Sequence, residues 1–286
     1  MMSEVRTMIG NIMHSSANTK DKTRLLLRVA LFLPYQVALQ RAFQKHGLSK
    51  LLALNPRYYY RFALPFLSSG LRCQEKLSYM CQHAQSLQMF QEPLGIVQSP
   101  QLLCDFSVAG QDMYFKMGCF EQFEKEGDVT FYLEDAQSGA LIYALTGVFA
   151  EDGFMIGGVQ GMQGVQIMRT LTKQMHGMRP HNLLFFCVTE CCRSLGYAKV
   201  LGICNHAHIY KQQRKTEARI QFDYDAFWSD VSDGQMQGDW CVMPCRYPLK
   251  PLEDVKTKKR GMYRKRYVML EQVAEHIHEH TKALLV

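Results

Sequence analysis

Phe154-Met-Ile-Gly-Gly-Val-Gln-Gly161 and Lys199-Val-Leu-Gly-Ile-Cys-Asn-His-Ala-His-Ile-Tyr210, with helical sequence between them, decide the fold. Each is an apolar run, as a buried strand is. The first closes on a glycine-rich turn and the second on polar residues. The connection is long enough to bring the two strands together as parallel neighbours. It holds one helix from Met162 to Met175, stopped by His176-Gly177, and a second that restarts at Arg179-Pro180. Proline suits the first turn of a helix, and Gly196 suits the end of this one.

Upstream, Leu102–Val108, Met113–Met117, Val129–Leu133 and Ala140–Phe149 have strand composition. Gly110-Gln111, Glu126-Gly-Asp128, Ser138-Gly139 and Asp152-Gly153 mark turns between them. That pattern predicts an antiparallel meander feeding the Phe154 strand. Further upstream the periodicity is helical, from Lys20 to His46 with a break at Pro34, from Leu48 to Leu54, and from Leu71 to Phe90. Residues 1–19 are polar and are expected to be loose. Downstream lie an aromatic cluster, Phe222–Trp228, taken as a loop, a short strand Trp240–Met243, and a C-terminal helix. In that helix Tyr263, Tyr267, Leu270, Ala274 and Ile277 form one stripe. The fold class is therefore α+β: a helical N-terminal layer, then a mixed, largely antiparallel sheet with one parallel strand pair. We place the division at residues 1–98 and 99–286.

The charge is local. The net charge is +7, and Lys256–Tyr267 carries seven basic residues and no acidic one. Without that segment 26 basic residues balance 26 acidic ones. One basic patch suits an anionic small molecule or a lipid headgroup better than bulk nucleic-acid coating, although Tyr263 and Tyr267 interleave the cations as stacking surfaces can. The plain alternative is a solvated helix start whose cations pair with acids elsewhere in the fold. Ten cysteines without a C-x-x-C pair read as free thiols in a reducing compartment. The apolar run Leu25–Pro34 is too short and interrupted to span a bilayer, and no cleavage site follows it. These features imply a cytoplasmic chain with no transmembrane segment.

Ile156-Gly-Gly-Val-Gln-Gly161, Tyr224-Asp-Ala-Phe-Trp228 with Trp240 beyond it, and Lys256–Tyr267 occur in an order that resembles the VirK/YbjX family of Gram-negative bacteria. The resemblance runs from about residue 20 to the C-terminus. It implies a link to virulence, envelope integrity and resistance to antimicrobial peptides, and implies no particular reaction. The order of elements also resembles the acyl-CoA N-acyltransferase fold. That second resemblance implies acyl-CoA or acyl carrier protein as donor, with a pantetheine between splayed parallel strands and phosphates on a helix start. The fold's signature is Gln or Arg, two residues, Gly, one residue, then Gly or Ala. Gln160-Gly-Met-Gln-Gly164 departs from that spacing, and an extra helix precedes Arg179.

Two functions follow as expectations. One is an acyltransferase, in which backbone N–H groups near Val159–Gly161 hold a thioester carbonyl, His206 or His208 deprotonates the acceptor, and Tyr210 protonates the leaving thiolate. Gln160, Gly161, Gly164 and Arg179 would bind the cofactor, with Arg260, Arg264 and Arg266 drawing in its phosphates. The other is a non-catalytic binding or regulatory protein that uses the same patch for an anion, a lipid or a partner. His206 and His208 lack an evident third ligand, so no metal site is assigned. No Ser-His-Asp set, G-x-S-x-G elbow, phosphate loop or dinucleotide fingerprint appears.

Overall fold

The computed structural model describes residues 2–15, 18–55, 58–59, 61–108, 110–162, 165–211 and 222–286. Ten helices are present among these residues: α1 (Met2–His14), α2 (Thr19–Leu31), α3 (Leu33–Lys45), α4 (Ser49–Leu54), α5 (Cys73–Ser86), α6 (Gly95–Gln98), α7 (Val165–Gln174), α8 (Pro180–Ser194), α9 (Tyr224–Val231) and α10 (Thr257–Ala283). Eight strands accompany them: β1 (Gln101–Val108), β2 (Gln111–Gly118), β3 (Val129–Asp135), β4 (Leu141–Ala150), β5 (Gly153–Gly161), β6 (Lys199–Ile203), β7 (Gln235–Gln237) and β8 (Trp240–Pro244). All eight join one sheet in the order β1-β2-β3-β4-β5-β6-β8-β7. Every pair is antiparallel except β5–β6. The expected α+β architecture and its single parallel pair are therefore present.

Local sequence explains the breaks. Pro34 sits in the first turn of α3, where its missing N–H costs nothing, and Phe32 separates α2 from α3. Gly47 follows α3 with φ +70°, a conformation that glycine adopts without strain. Two expectations are corrected. Residues 2–14 form a helix because Met8 and Ile12, one turn apart, are both fully buried. The aromatic cluster is helical, as Asp223 caps α9 by accepting the Ala226 N–H, and Tyr224, Phe227, Trp228 and Val231 then fall on its buried face.

One hydrophobic core joins the N-terminal helices to the sheet, with Leu39, Phe43, Leu51, Tyr59 and Met80 in the same cluster as Phe115, Phe131, Phe149 and Phe154. The last four rings pack in stacked, tilted and edge-on pairs across β2, β3, β4 and β5. Helix α5 packs on β4, and α8 lies along β3–β6 and beneath α10. The buried stripe of α10 is Met269, Leu270, Val273 and Ile277, whereas Tyr263, Tyr267 and Ala274 flank it, half-buried. Among the described residues no helix is long and apolar enough to cross a membrane.

Candidate functional site

The parallel pair is short. Phe154, Met155 and Ile156 pair with Val200, Leu201 and Gly202, and there the ladder stops. Strand β5 continues to Gly161 on β4 alone, with a register shift between Thr146 and Gly147 that leaves Gly157 unpaired. A wedge opens between β5 and β6, and α9 fills it. The Tyr224 hydroxyl accepts the Val159 N–H at 3.2 Å, and Trp228 Nε1 donates to the Ile203 carbonyl at 2.8 Å. Gly202 is what lets Trp228 in, since a Cβ there would overlap the indole. Side chains thus satisfy the backbone groups that the diverging strands leave open.

A buried polar cluster lies at this wedge. Glu126 is 1% exposed and comes from the loop before β3. Its Oε1 accepts the Gln160 amide at 2.7 Å and lies 3.8 Å from His208 Nε2. Its Oε2 is buried with no hydrogen-bond partner among the described residues. Burial pushes the Glu126 carboxyl up to about 7, although the Gln160 bond partly opposes the rise. Burial pushes His208 down to about 4, so its ring is neutral near pH 7. His208 stacks on Tyr224 at 4.7 Å, and its Nε2 is 3.0 Å from the Tyr224 hydroxyl. Gly157 and Gly158 make the seat: a Cβ on the first would meet the Glu126 carbonyl, and on the second its carboxylate.

The predicted catalytic residues separate. His208 belongs to this cluster. Tyr210 follows it, donating its N–H to His208 Nδ1 at 3.5 Å. His206 is exposed and lies 3.3 Å from Asp239. Of the predicted cofactor residues, Gln160 is bound to Glu126, and Gly161 abuts the Tyr143 ring. Gly164 lies outside the described residues. The Val159 N–H that a thioester carbonyl would use is taken by Tyr224.

Arg179 has a different setting. It precedes α8, in extended conformation with no side-chain cap on the helix. It lines a cavity of about 630 Å³ with Tyr143, Met168, Arg169, Lys173 and His181. No described residue of the lining is acidic. Arg169, Lys173 and Arg179 make no ion pair among the described residues. The neighbouring Asp230 instead accepts from Asn182 at 3.1 Å. Burial, then Arg179, push His181 down to about 4, and its neutral ring packs edge-on to Tyr143 and Phe227. Three uncompensated cations beside the positive end of a 15-residue helix are suited to a multiply charged anion.

In α10 the arginines divide. Arg260 donates to the Val255 and Glu253 carbonyls, at 3.0 and 3.1 Å. Arg266 donates two hydrogen bonds to the His176 carbonyl and lies over the Tyr263 ring. His176 holds that carbonyl in place with φ +51°, followed by Gly177 at φ +76°. Arg264 stays exposed beside a cleft of about 410 Å³ shared with His176, Lys265 and Val268. Among the described residues no three His, Cys, Asp or Glu side chains gather to hold a metal ion.

Glu126, His181, Arg169 and Lys173 escape a reading by motif, and the Tyr224 motif carries a resemblance without pointing to the buried cluster. The one legible signal is Gly157-Gly158 inside a strand, which marks a close approach by another group.

The sequence model of a family described as "Protein of unknown function (DUF535)" matches residues 14–279. A protein of Escherichia coli K12 described as "Uncharacterized protein YbjX" is 24% identical over 244 residues, covering 79% of this chain and 73% of that protein. An uncharacterized protein of Haemophilus influenzae Rd is 29% identical over 231 residues, 78% of this chain and 75% of its own length. A second protein from that strain is 34% identical over 111 residues, 38% of this chain and 36% of its own.

Proposed function

The chain belongs to the DUF535 family, and from that premise we propose that it binds a phosphate-bearing ligand in the cavity at the start of α8. The observation that carries this is the cavity itself, in which Arg169, Lys173 and Arg179 converge with no acid in the described lining. Arginine forks and a helix start both favour phosphate oxygens. The neutral, aromatic side of the cavity, Tyr143 with His181, suits the uncharged part of such a ligand.

Acyl transfer is the second reading, and the parallel β5–β6 pair that stops at Ile156 and Gly202 favours it. The cations of the cavity suit the phosphates of a coenzyme A. Its pantetheine arm does not fit between β5 and β6 while Tyr224 and Trp228 occupy the wedge. In this reading Glu126, more than the exposed His206, is the proton acceptor nearest the end of β5. The setting implied by the VirK/YbjX resemblance belongs to the same proposal: envelope integrity, virulence and resistance to antimicrobial peptides, served from the cytoplasm.

Thermal unfolding with inorganic phosphate, coenzyme A and an acyl-coenzyme A tests both readings. A ligand at about 100 times its Kd adds about 2.7 kcal/mol. Phosphate and coenzyme A should each raise the midpoint, and Arg179→Ala with Lys173→Ala should remove the rise. If no anion stabilises the parent chain, the cavity is not a phosphate site. If acyl-coenzyme A binds no more tightly than inorganic phosphate, acyl transfer is dropped and phosphate binding stands.

A further inference from the structure

The first three turns of α10, with Lys256 before them, hold seven basic residues and no acid. Lys256, Lys258, Lys259, Arg264 and Lys265 are exposed. None of the seven cations between Lys256 and Arg266 pairs with a carboxylate among the described residues. Glu253 and Asp254 lie exposed just before the helix and form no ion pair with these cations among the described residues, and two further acids are used elsewhere. Asp223 caps α9 and accepts from Asn205, and Asp225 accepts the Asn205 N–H. The next acid along the helix, Glu271, lies two turns beyond Arg264. A helix start also repels cations through its own dipole, so this concentration is held against two unfavourable terms.

Exposed aliphatic side chains sit among these charges. Val268, one turn after Arg264, is 54% exposed and shares its cleft. Leu249 is 50% exposed. It precedes Lys250, whose carbonyl accepts the Tyr267 hydroxyl and so fixes that segment against α10. By contrast, the aromatic rings that could stack on bases are engaged. Tyr263 packs edge-on to Tyr267 and carries Arg266 on its face. Cations with exposed aliphatics and half-buried rings already in contact with one another suit lipid headgroups and the acyl boundary beneath them; stacking on nucleotides needs open rings.

We propose that this end of α10 docks the protein on an anionic lipid bilayer, with Lys258, Arg264 and Lys265, which share the side of the helix that carries Val268, outside its buried stripe, on the headgroups and Val268 and Leu249 facing the acyl boundary. Arg260 and Arg266 hold the platform, because their guanidinium groups are bound to backbone carbonyls. The contact is peripheral, and its strength falls with salt as headgroup attraction is screened. The surface uses cations other than those of the α8 cavity, so it stands or falls independently of the phosphate proposal.

The test is co-sedimentation of the full chain with vesicles of phosphatidylcholine alone and of phosphatidylcholine with phosphatidylglycerol in equal parts. The parent should sediment only with the anionic vesicles, and less as salt rises. The triple change Lys258→Gln, Arg264→Gln, Lys265→Gln should weaken that binding by roughly a hundredfold, at about fivefold per cation. Val268→Asp should weaken it in the same assay with all cations kept, and Arg179→Ala should leave it unchanged. All three variants alter exposed side chains or an uncapped loop position, and an unchanged melting midpoint confirms folding. Equal binding to both vesicle types, parental binding by the triple variant, or tighter binding to a duplex or single-stranded oligonucleotide at the same salt would each overturn the proposal.

Discussion

Gln160 Nε2 donates to Glu126 Oε1 over 2.7 Å, tying the end of β5 to a loop 34 residues earlier in the chain. Gln160 ends the strand that the glycine-rich stretch announces, whereas Glu126 comes from a plain turn. Together with Gly157 and Gly158 they build one buried unit, in which the strand is stripped of side chains where the carboxylate enters. The glycine-rich stretch that decides the fold is therefore also the floor of the polar cluster.

Gly158→Ala should be destabilising, because its Cβ would overlap the Glu126 carboxylate. Overpacking of this kind costs about 1–3 kcal/mol, readable as a shift in the urea midpoint. Glu126→Ala in the same chain should recover part of that loss, since it removes the group that the methyl strikes. A double-mutant cycle showing no coupling between the two positions would contradict the packing described.

Arg61 and Asp128 form a buried ion pair between the segment that joins α4 to α5 and the loop that carries Glu126. The guanidinium is also sandwiched against Tyr58 at 4.0 Å and Phe66 at 4.5 Å. Asp128→Ala strands that cation and should cost about 3–5 kcal/mol, whereas Arg61→Met with Asp128→Leu should restore most of the loss. For the same reason a chain begun at residue 99 should fail to fold alone, as β4 would lose α5 with Met80 and Ala84. A cooperative thermal transition from that shortened chain would refute this.

The backbone periodicities were legible because they are local. The meander, the parallel pair and the Pro34 break each follow from a few adjacent residues, and so does the family resemblance. The site was less legible because its parts meet only in space. Glu126 sits in a turn signal that says nothing of where its carboxylate points. Phe222–Trp228 read as a loop since aromatic density hid the Asp223 cap and the apolar spacing behind it. Charge alone marks the basic helix, but charge does not separate Arg260 and Arg266, which serve carbonyls, from the exposed Arg264. His206 and His208, alike on paper, end at the surface and in the core respectively.

Tyr224→Phe removes the acceptor of the Val159 N–H and the hydroxyl beside His208 Nε2. A buried donor left unpaired costs about 1–3 kcal/mol. Amide hydrogen exchange at Val159 should accelerate in the variant more than at Phe154, which remains within the β5–β6 ladder. Uniform acceleration along β5 would mean that Tyr224 supports the whole strand and does not specifically close the wedge.

Glu126 has its folded pKa raised from the ordinary 4.5 to about 7, mainly by burial. Between those values the folded chain keeps a proton that the unfolded chain has released, so this group lowers stability as pH rises through the window. His208, pushed by burial from 6.5 to about 4, acts with the opposite sign. The unfolded chain binds the extra proton there, and stability rises from about pH 4 to about pH 6.5. His83 and His181, also lowered to about 4, act in the same direction as His208. The parent profile therefore mixes opposing terms, and the difference between parent and Glu126→Gln isolates one of them. The amide is nearly isosteric, keeps an oxygen for Gln160 and cannot ionise. At about pH 8 the variant should be more stable than the parent by roughly 3 kcal/mol, and near pH 4 the two should coincide. Denaturant titrations at a series of pH values measure this directly. A variant less stable than the parent above pH 7 would show that the ionised carboxylate has a stabilising partner in the folded chain, contrary to its unpaired Oε2.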